Sequence, residues 1–338
     1  MNTNTFKHVY LIVFLFLILH CGPDAPHDNP LDPLNPSAQF NIRGQVFTYY
    51  PPFVGIPEVS LILLPENRLT NSNANGEFLF TGLKRGNYQL VATAKGLLED
   101  TLALTLKADT LVTFHLDALP VFDTLKVTSH RVGRFFPPED LLFLEFKATV
   151  NDPDGANDIS TLLLQIPALQ VTDTIAPVQI LNTRQVSGTI NRQATDFNIS
   201  SIEALIGKPI YFIARDQPGG TTQSAPQFLF RVIPRIPTVI SPAGLVSIPL
   251  DSTRILFQWE PVQLEFPFTF EIEIYRLDLG VGTLVSRVTD IPETTTELYL
   301  TNPGTVGNYF WVLYIVDEFQ NTSRSREGAF RIINNTGG

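Results

Sequence analysis

The chain has 338 residues, of which 17% are charged and 44% hydrophobic; that balance supplies packed cores and excludes disorder over most of its length. Lys and Arg number 23 against 33 Asp and Glu, a net charge of −10 without a basic run. Nucleic acid is therefore not an expected partner, because neutralisation of phosphates by cations supplies most of that affinity. The single Cys excludes an intrachain disulfide and Cys-based zinc or iron–sulfur sites.

The predicted elements begin with a short export signal. Lys7 and His8 precede an unbroken apolar run over residues 9–19. At ~1.5 Å rise per residue the run crosses only about half of a ~30 Å bilayer core, which is the pattern of a signal over residues 1–20 rather than of a spanning helix. It stops in Ile18-Leu19-His20-Cys21-Gly22. This arrangement resembles a bacterial lipoprotein signal. The resemblance implies that Cys21 becomes the lipidated first residue and holds the protein to a membrane. Asp does not directly follow Cys21, which for this class implies the outer membrane, on its surface or periplasmic face. Residues 21–38 are rich in Pro and Asp, lack apolar periodicity, and read as a flexible, disordered tether.

Residues 39–119 alternate apolar and polar side chains between turn residues. Asn41-Ile42-Arg43-Gly44-Gln45-Val46-Phe47 and Val59-Ser60-Leu61-Ile62-Leu63 read as strands, and Asn73-Ala74-Asn75-Gly76 as a turn. Phe78 and Phe80, then Tyr88, Leu90 and Ala92, continue the alternation. Leu102, Leu104 and Leu106 face Val112, Phe114 and Leu116 across a turn at 107–110, which predicts a hairpin. Gly44-x-Val46, Gly55-x-Pro57-x-Val59-x-Leu61, Asn75-Gly76-x-Phe78-x-Phe80, Leu83-x-x-Gly86-x-Tyr88-x-Leu90-x-Ala92 and Gly96-Leu97 resemble the carboxypeptidase regulatory-like domain. That resemblance implies a transthyretin-like β-sandwich and confers no peptidase activity.

Residues 120–234 predict a second sandwich. Leu142, Leu144, Phe146, Ala148 and Val150 alternate and are followed by the turn Asn151-Asp152-Pro153-Asp154-Gly155. Ser201 caps a short helical turn closed by Gly207, His130 reads as a loop residue, and 228–233 reads as a final strand. The Asp-Pro-Asp-Gly turn followed by Asp158-Ile159 is similar to turns in immunoglobulin-like and cadherin-like repeats of bacterial surface proteins.

Residues 235–338 predict a third. Ile255-Leu256-Phe257-Gln258-Trp259-Glu260-Pro261, then 270–275, then Tyr309-x-Trp311-x-Leu313 resemble the fibronectin type III domain. An internal repeat links the last two modules. Asp216 and Ser224 follow one strand as Asp317 and Ser325 follow another, and Phe230-Arg231-Val232-Ile233 matches Phe330-Arg331-Ile332-Ile333. Both modules are expected to end in the same hairpin. The fold class is therefore all-β, three tandem immunoglobulin-like β-sandwiches joined by short Pro-bearing linkers. Three modules of roughly 30–40 Å in line would make a rod of about 100 Å.

Chemistry is thinly supplied. His27 lies in the tether, His115 faces outward on a strand, and neither His nor Ser occurs in a nucleophile motif. The expectation is a non-enzymatic, monomeric protein without a cofactor. Asp152, Asp154 and Asp158, with Asn151 and Asn157, crowd hard oxygens that suit Ca²⁺, although the same residues also make a good turn without an ion. Tyr49-Tyr50-Pro51-Pro52-Phe53 offers Tyr49, Tyr50 and Phe53 for stacking on a sugar or a partner's apolar surface. Phe135-Phe136-Pro137-Pro138 and Phe266-Pro267-Phe268 read the same way; alternatively, all three clusters plug sandwich ends or pad contacts between modules. The expected role is an adhesion or scaffold rod that meets envelope proteins or glycans, with carbohydrate capture by the first module as the alternative.

Overall fold

The computed structural model describes Asn35 and residues 37–334; the signal, Cys21 and residues 22–34 of the tether lie outside the described residues. The chain divides into two compact units at Ala118 and Leu119.

The first unit contains β1 (Phe40–Thr48), β2 (Ser60–Leu64), β3 (Arg68–Asn71), β4 (Glu77–Leu83), β5 (Gly86–Thr93), β6 (Asp100–Leu106) and β7 (Thr110–Leu116). One sheet has the order β4-β1-β7 and the other β3-β2-β5-β6. Successive side chains on a strand point to opposite faces, so alternate apolar residues reach the core. Ile42, Val46, Phe80 and Phe114 enter from the first sheet, and Leu61, Leu63 and Leu90 from the second. The expected hairpin at 107–110 does not form. β6 pairs antiparallel with β5, whereas β7 pairs parallel with β1. Residues 107–109 cross between the sheets, and the Asp109 carboxylate accepts from the Asn41 backbone N–H at 2.8 Å, fixing the crossing beside β1. Two strands facing each other across a core show the same alternation as two paired in a hairpin.

The second unit begins with β8 (Val121–Val132), β9 (Leu141–Asn151), β10 (Ile159–Ile166), β11 (Val171–Thr174), β12 (Val178–Ile180), β13 (Gln185–Arg192), β14 (Tyr211–Asp216) and β15 (Thr221–Gln223). It continues with β16 (Val239–Ser241), β17 (Val246–Pro249), β18 (Arg254–Trp259), β19 (Phe268–Asp278), β20 (Val281–Pro292), β21 (Glu297–Thr301), β22 (Gly307–Asp317), β23 (Thr322–Arg324) and β24 (Gly328–Ile333). Two cores form. One gathers Phe146, Leu164 and Phe212; the other gathers Phe257, Trp259, Phe270, Trp311 and Phe330. The chain is thus an all-β protein of tandem sandwiches.

One sheet runs through both sandwiches of this unit. Its order is β12-β13-β9-β8-β23-β22-β19-β20, with β24 and β17 alongside β22. The seam is a parallel pairing of β8 with β23, matching His130 with Thr322 and Val132 with Arg324. Side chains lock it. Asn321 Oδ1 accepts from the Ser129 N–H at 2.8 Å, and His130 Nδ1 meets Thr322 Oγ1 at 2.7 Å. The Pro-bearing connection is held from both sides: Arg131 donates to the Ile233 carbonyl at 2.9 Å and Ser323 to the Arg235 carbonyl at 2.7 Å.

This seam explains two departures from expectation. His130 lies on β8, not in a loop, stacked on Phe143. Residues 228–233 do not form a strand; Leu229 makes only an isolated bridge to Ile206. The Arg231 carbonyl accepts from Ser129 Oγ and the Ile233 carbonyl from Arg131, so these groups are taken by β8 rather than by a neighbouring strand. The internal repeat is otherwise faithful. Phe212 and Ser224 bond to each other as Leu313 and Ser325 do, through one backbone bond and one serine hydroxyl. The expected helical turn is present as a 3₁₀ turn at Ile202–Leu205 with Ser201 as its cap.

Candidate functional site

The aromatic loop of the first unit is a built surface. Thr48 ends β1, and its hydroxyl lies within hydrogen-bond distance of the Tyr50 and Pro52 carbonyls, at 3.2 and 3.1 Å. The Val54 N–H donates to the same hydroxyl at 3.0 Å, so residues 49–54 form a fixed excursion. Tyr49, Phe53 and Val54 are exposed. The Tyr49 and Tyr50 rings meet edge-on at 79°, and Phe53 meets the exposed His115 ring at 72°. The patch is apolar and aromatic, but these rings do not lie in one plane.

The other aromatic clusters separate. Phe135 and Phe136 are exposed. Phe268 is buried in the core of the third sandwich, while Phe266 carries the Arg231 guanidinium on its face at 3.9 Å. Arg231 also lies 5.3 Å from the Phe319 ring and 3.5 Å from Asp317, so this group pads the seam of the second unit.

The acidic turn sits between β9 and β10, at the end of the second sandwich where β8 begins. The Asp152 N–H donates to the Arg184 carbonyl at 2.7 Å, and the Ala156 N–H to the Thr183 carbonyl at 2.9 Å. Asp152 Oδ1 accepts from the Asp154 N–H at 2.9 Å. The carboxylate oxygens of Asp154 and Asp158 lie within 4.8 Å of one another. The three predicted acids are therefore brought together, and the fold adds Asp216. Asp216 ends β14 opposite Ile159, and the Gln217 N–H donates to the Asp158 carbonyl at 2.8 Å. Burial, with the charges of Asp158, Asp154 and Asp216, pushes the Asp152 carboxyl up to about 6. Asp216 lies 58 residues beyond Asp158 in sequence, and only its place in the repeat could have flagged it.

A shallow cleft of about 510 Å³ in the third sandwich is lined by Phe268, Glu271, Arg287 and Asp290. Arg287 Nε donates to Glu271 at 2.7 Å, and Tyr275 donates to Glu273 at 2.6 Å, so these acids are tied to neighbours. His130 is held down from its ordinary pKa by burial and occupied by two threonines. Among the described residues no helix is long and apolar enough to cross a membrane.

No family model and no curated protein matches the chain. Solved structures do. The major pilin subunit BcpA of Bacillus cereus is 12% identical, with 89% of this chain and 100% of that chain covered and a TM-score of 0.28. Fibronectin(III)-like modules of Clostridium thermocellum CbhA are 10% identical over 64% of this chain and 94% of that one, at a TM-score of 0.30. A DUF3823 family protein from Bacteroides ovatus is 10% identical over 56% and 97%, at a TM-score of 0.24. The multi-domain β-sandwich fold rests on the chain's own sheets and three cores.

Proposed function

We propose that the chain is a non-enzymatic, lipid-anchored cell-envelope protein whose β-sandwiches serve as an adhesion or scaffold element. The observation that supports the scaffold reading best is the single sheet of the second unit. A sheet running through two cores, locked by Ser129, His130 and Asn321, resists bending where a free linker would yield. The lipid at Cys21 and the tether after it supply the attachment to the outer membrane, and the first module is read as a carboxypeptidase regulatory-like domain. Expressing cells fed an alkynyl palmitate test the anchor. The full-length chain is expected to label and to sediment with membranes, and Cys21→Ser to lose both properties. An unlabelled wild type in the soluble fraction overturns it.

A second reading is favoured by one observation, the exposed aromatic loop. Tyr49 and Phe53 could stack on a glycan from a loop that Thr48 holds in place. A glycan array probed with the full-length protein decides. Carbohydrate capture requires hits that fall by about tenfold or more in a Tyr49→Ala, Tyr50→Ala double variant, since stacking is worth about 0.5–1.5 kcal/mol per ring and two rings are removed. A blank array turns the search to envelope proteins.

A further inference from the structure

We propose that the second sandwich binds a calcium ion through the carboxylates of Asp152, Asp154, Asp158 and Asp216. Three of these four side chains are buried: Asp152 is 0% exposed, Asp216 3% and Asp158 4%. Burying an ionised carboxylate is costly unless hydrogen bonds or an opposite charge compensate. Asp152 is compensated on one side only. Its Oδ1 is taken by the Asp154 N–H, and its fully buried Oδ2 has no hydrogen-bond partner. The charges that act on this group are those of Asp158, Asp154 and Asp216, all negative. Asp216 shows the same asymmetry: Oδ1 accepts from the Gly219 N–H at 2.9 Å, while the buried Oδ2 is unpartnered.

The third sandwich provides an internal control. Asp317 holds the position of Asp216 in the repeat, and each begins a turn in which its N–H donates to a carbonyl four residues on, Asn321 in one case and Gly220 in the other. Asp317 is satisfied on both oxygens. Oδ1 accepts from the Phe319 and Asn321 N–H groups, and Oδ2 accepts from the Asn321 amide at 2.9 Å and meets Arg231 at 3.5 Å. In the second sandwich the Asn321 position is Gly220, which has no side chain to donate. A Cβ there would lie 2.1 Å from Asp216 Oδ2, so no larger residue fits while that oxygen keeps its place. The same turn thus carries a neutralised acid in one sandwich. In the other it carries an open one, beside three further carboxylates.

The donor set selects the ion. All four candidate side-chain donors are carboxylates, which suit a hard cation, and Ca²⁺ takes about 6–8 oxygens in flexible geometry, with carboxylates mono- or bidentate and carbonyls or water completing the shell. Mg²⁺ demands nearer to ideal octahedral geometry and gives up water reluctantly, so it is the weaker ligand for a compact set of acids. The ion site is independent of the anchor and of any adhesion partner, because it involves four residues of one sandwich.

The test uses the full-length protein stripped with a chelator and titrated with CaCl₂ by calorimetry and thermal unfolding. Binding is expected with a Kd of about 10⁻⁴–10⁻³ M, the range of extracellular modules. At ten times Kd the transition of the second unit is expected to rise by roughly 3–6 °C. Asp216→Asn is expected to weaken binding at least about tenfold by removing one charged ligand, and Asp290→Asn, in the third sandwich, to leave it unchanged. Asp154→Asn, at a half-buried position, gives the same loss should Asp216→Asn fold poorly. No heat and no thermal shift in the folded wild type up to about 10 mM Ca²⁺, ten times the weak end of that range, overturns the proposal. So does Ca²⁺ binding that survives unchanged in both Asp216→Asn and Asp154→Asn.

Discussion

Replacing Trp311 by Ala is expected to lower the stability of the second unit by about 3–5 kcal/mol, the cost of emptying an aromatic site in a packed core. Trp311 is fully buried on β22 between the two sheets of the third sandwich. Its indole meets the Phe257 ring edge-on at 5.0 Å, and its Nε1 donates to the Pro242 carbonyl at 2.7 Å. Gly328 on β24 lies so close that a Cβ there would sit 2.3 Å from Nε1. The surroundings therefore fit the indole and leave little slack for collapse into the space it vacates. Trp311→Phe keeps most of the apolar contact but orphans the Pro242 carbonyl, so a smaller loss of about 1–3 kcal/mol is expected. Urea unfolding followed by circular dichroism reads both variants. The midpoint should fall with the slope unchanged, because stability changes while the unfolded surface does not. A loss below about 1 kcal/mol for Trp311→Ala would show that the site is not a packed core.

Asp152→Asn is expected to stabilise the chelator-treated protein at pH 7 by about 2–3 kcal/mol and to have little effect at pH 4, since each tenfold change in proton affinity is worth about 1.4 kcal/mol. The carboxyl is fully buried and is raised from the ordinary 3.8 to about 6, first by burial, then by the neighbouring acids. A raised carboxyl contributes its stability fully below the unfolded value of 3.8, where it is protonated in both states. That contribution is lost as pH rises through the folded value of about 6, where the buried group must ionise. Metal-free wild type should therefore weaken between about pH 4 and 6, and the Asn variant should not. Asn keeps an oxygen for the Asp154 N–H, so the turn retains its bond. Parallel pH profiles for the two proteins would be falsifying. A calcium ion adds the opposite effect, since it binds the ionised form and favours higher pH.

Much of this molecule is written in local pattern. Period-two alternation over residues such as Phe78 and Phe80, or Tyr309, Trp311 and Leu313, selects strands because side chains on a strand alternate between faces. Turn residues divide those strands into short ones, and the repeat of Asp216 with Ser224 and Asp317 with Ser325 marks two related hairpins. The three acids of the 151–158 turn are neighbours in sequence, so their meeting needed only a turn.

What the sequence alone determined, then, is the all-β class, most of the strands and which side of each faces a core, because these follow from near neighbours. Only the tertiary structure decided which strands pair. It set β7 parallel to β1 instead of folding it back on β6, and it joined β8 to β23 through Ser129 and Asn321, 192 residues apart. It also carried Asp216 to the acidic turn. Alternation records only that a strand has a buried face; its hydrogen-bonding edges carry no side-chain signal, so pairing is settled when distant edges meet.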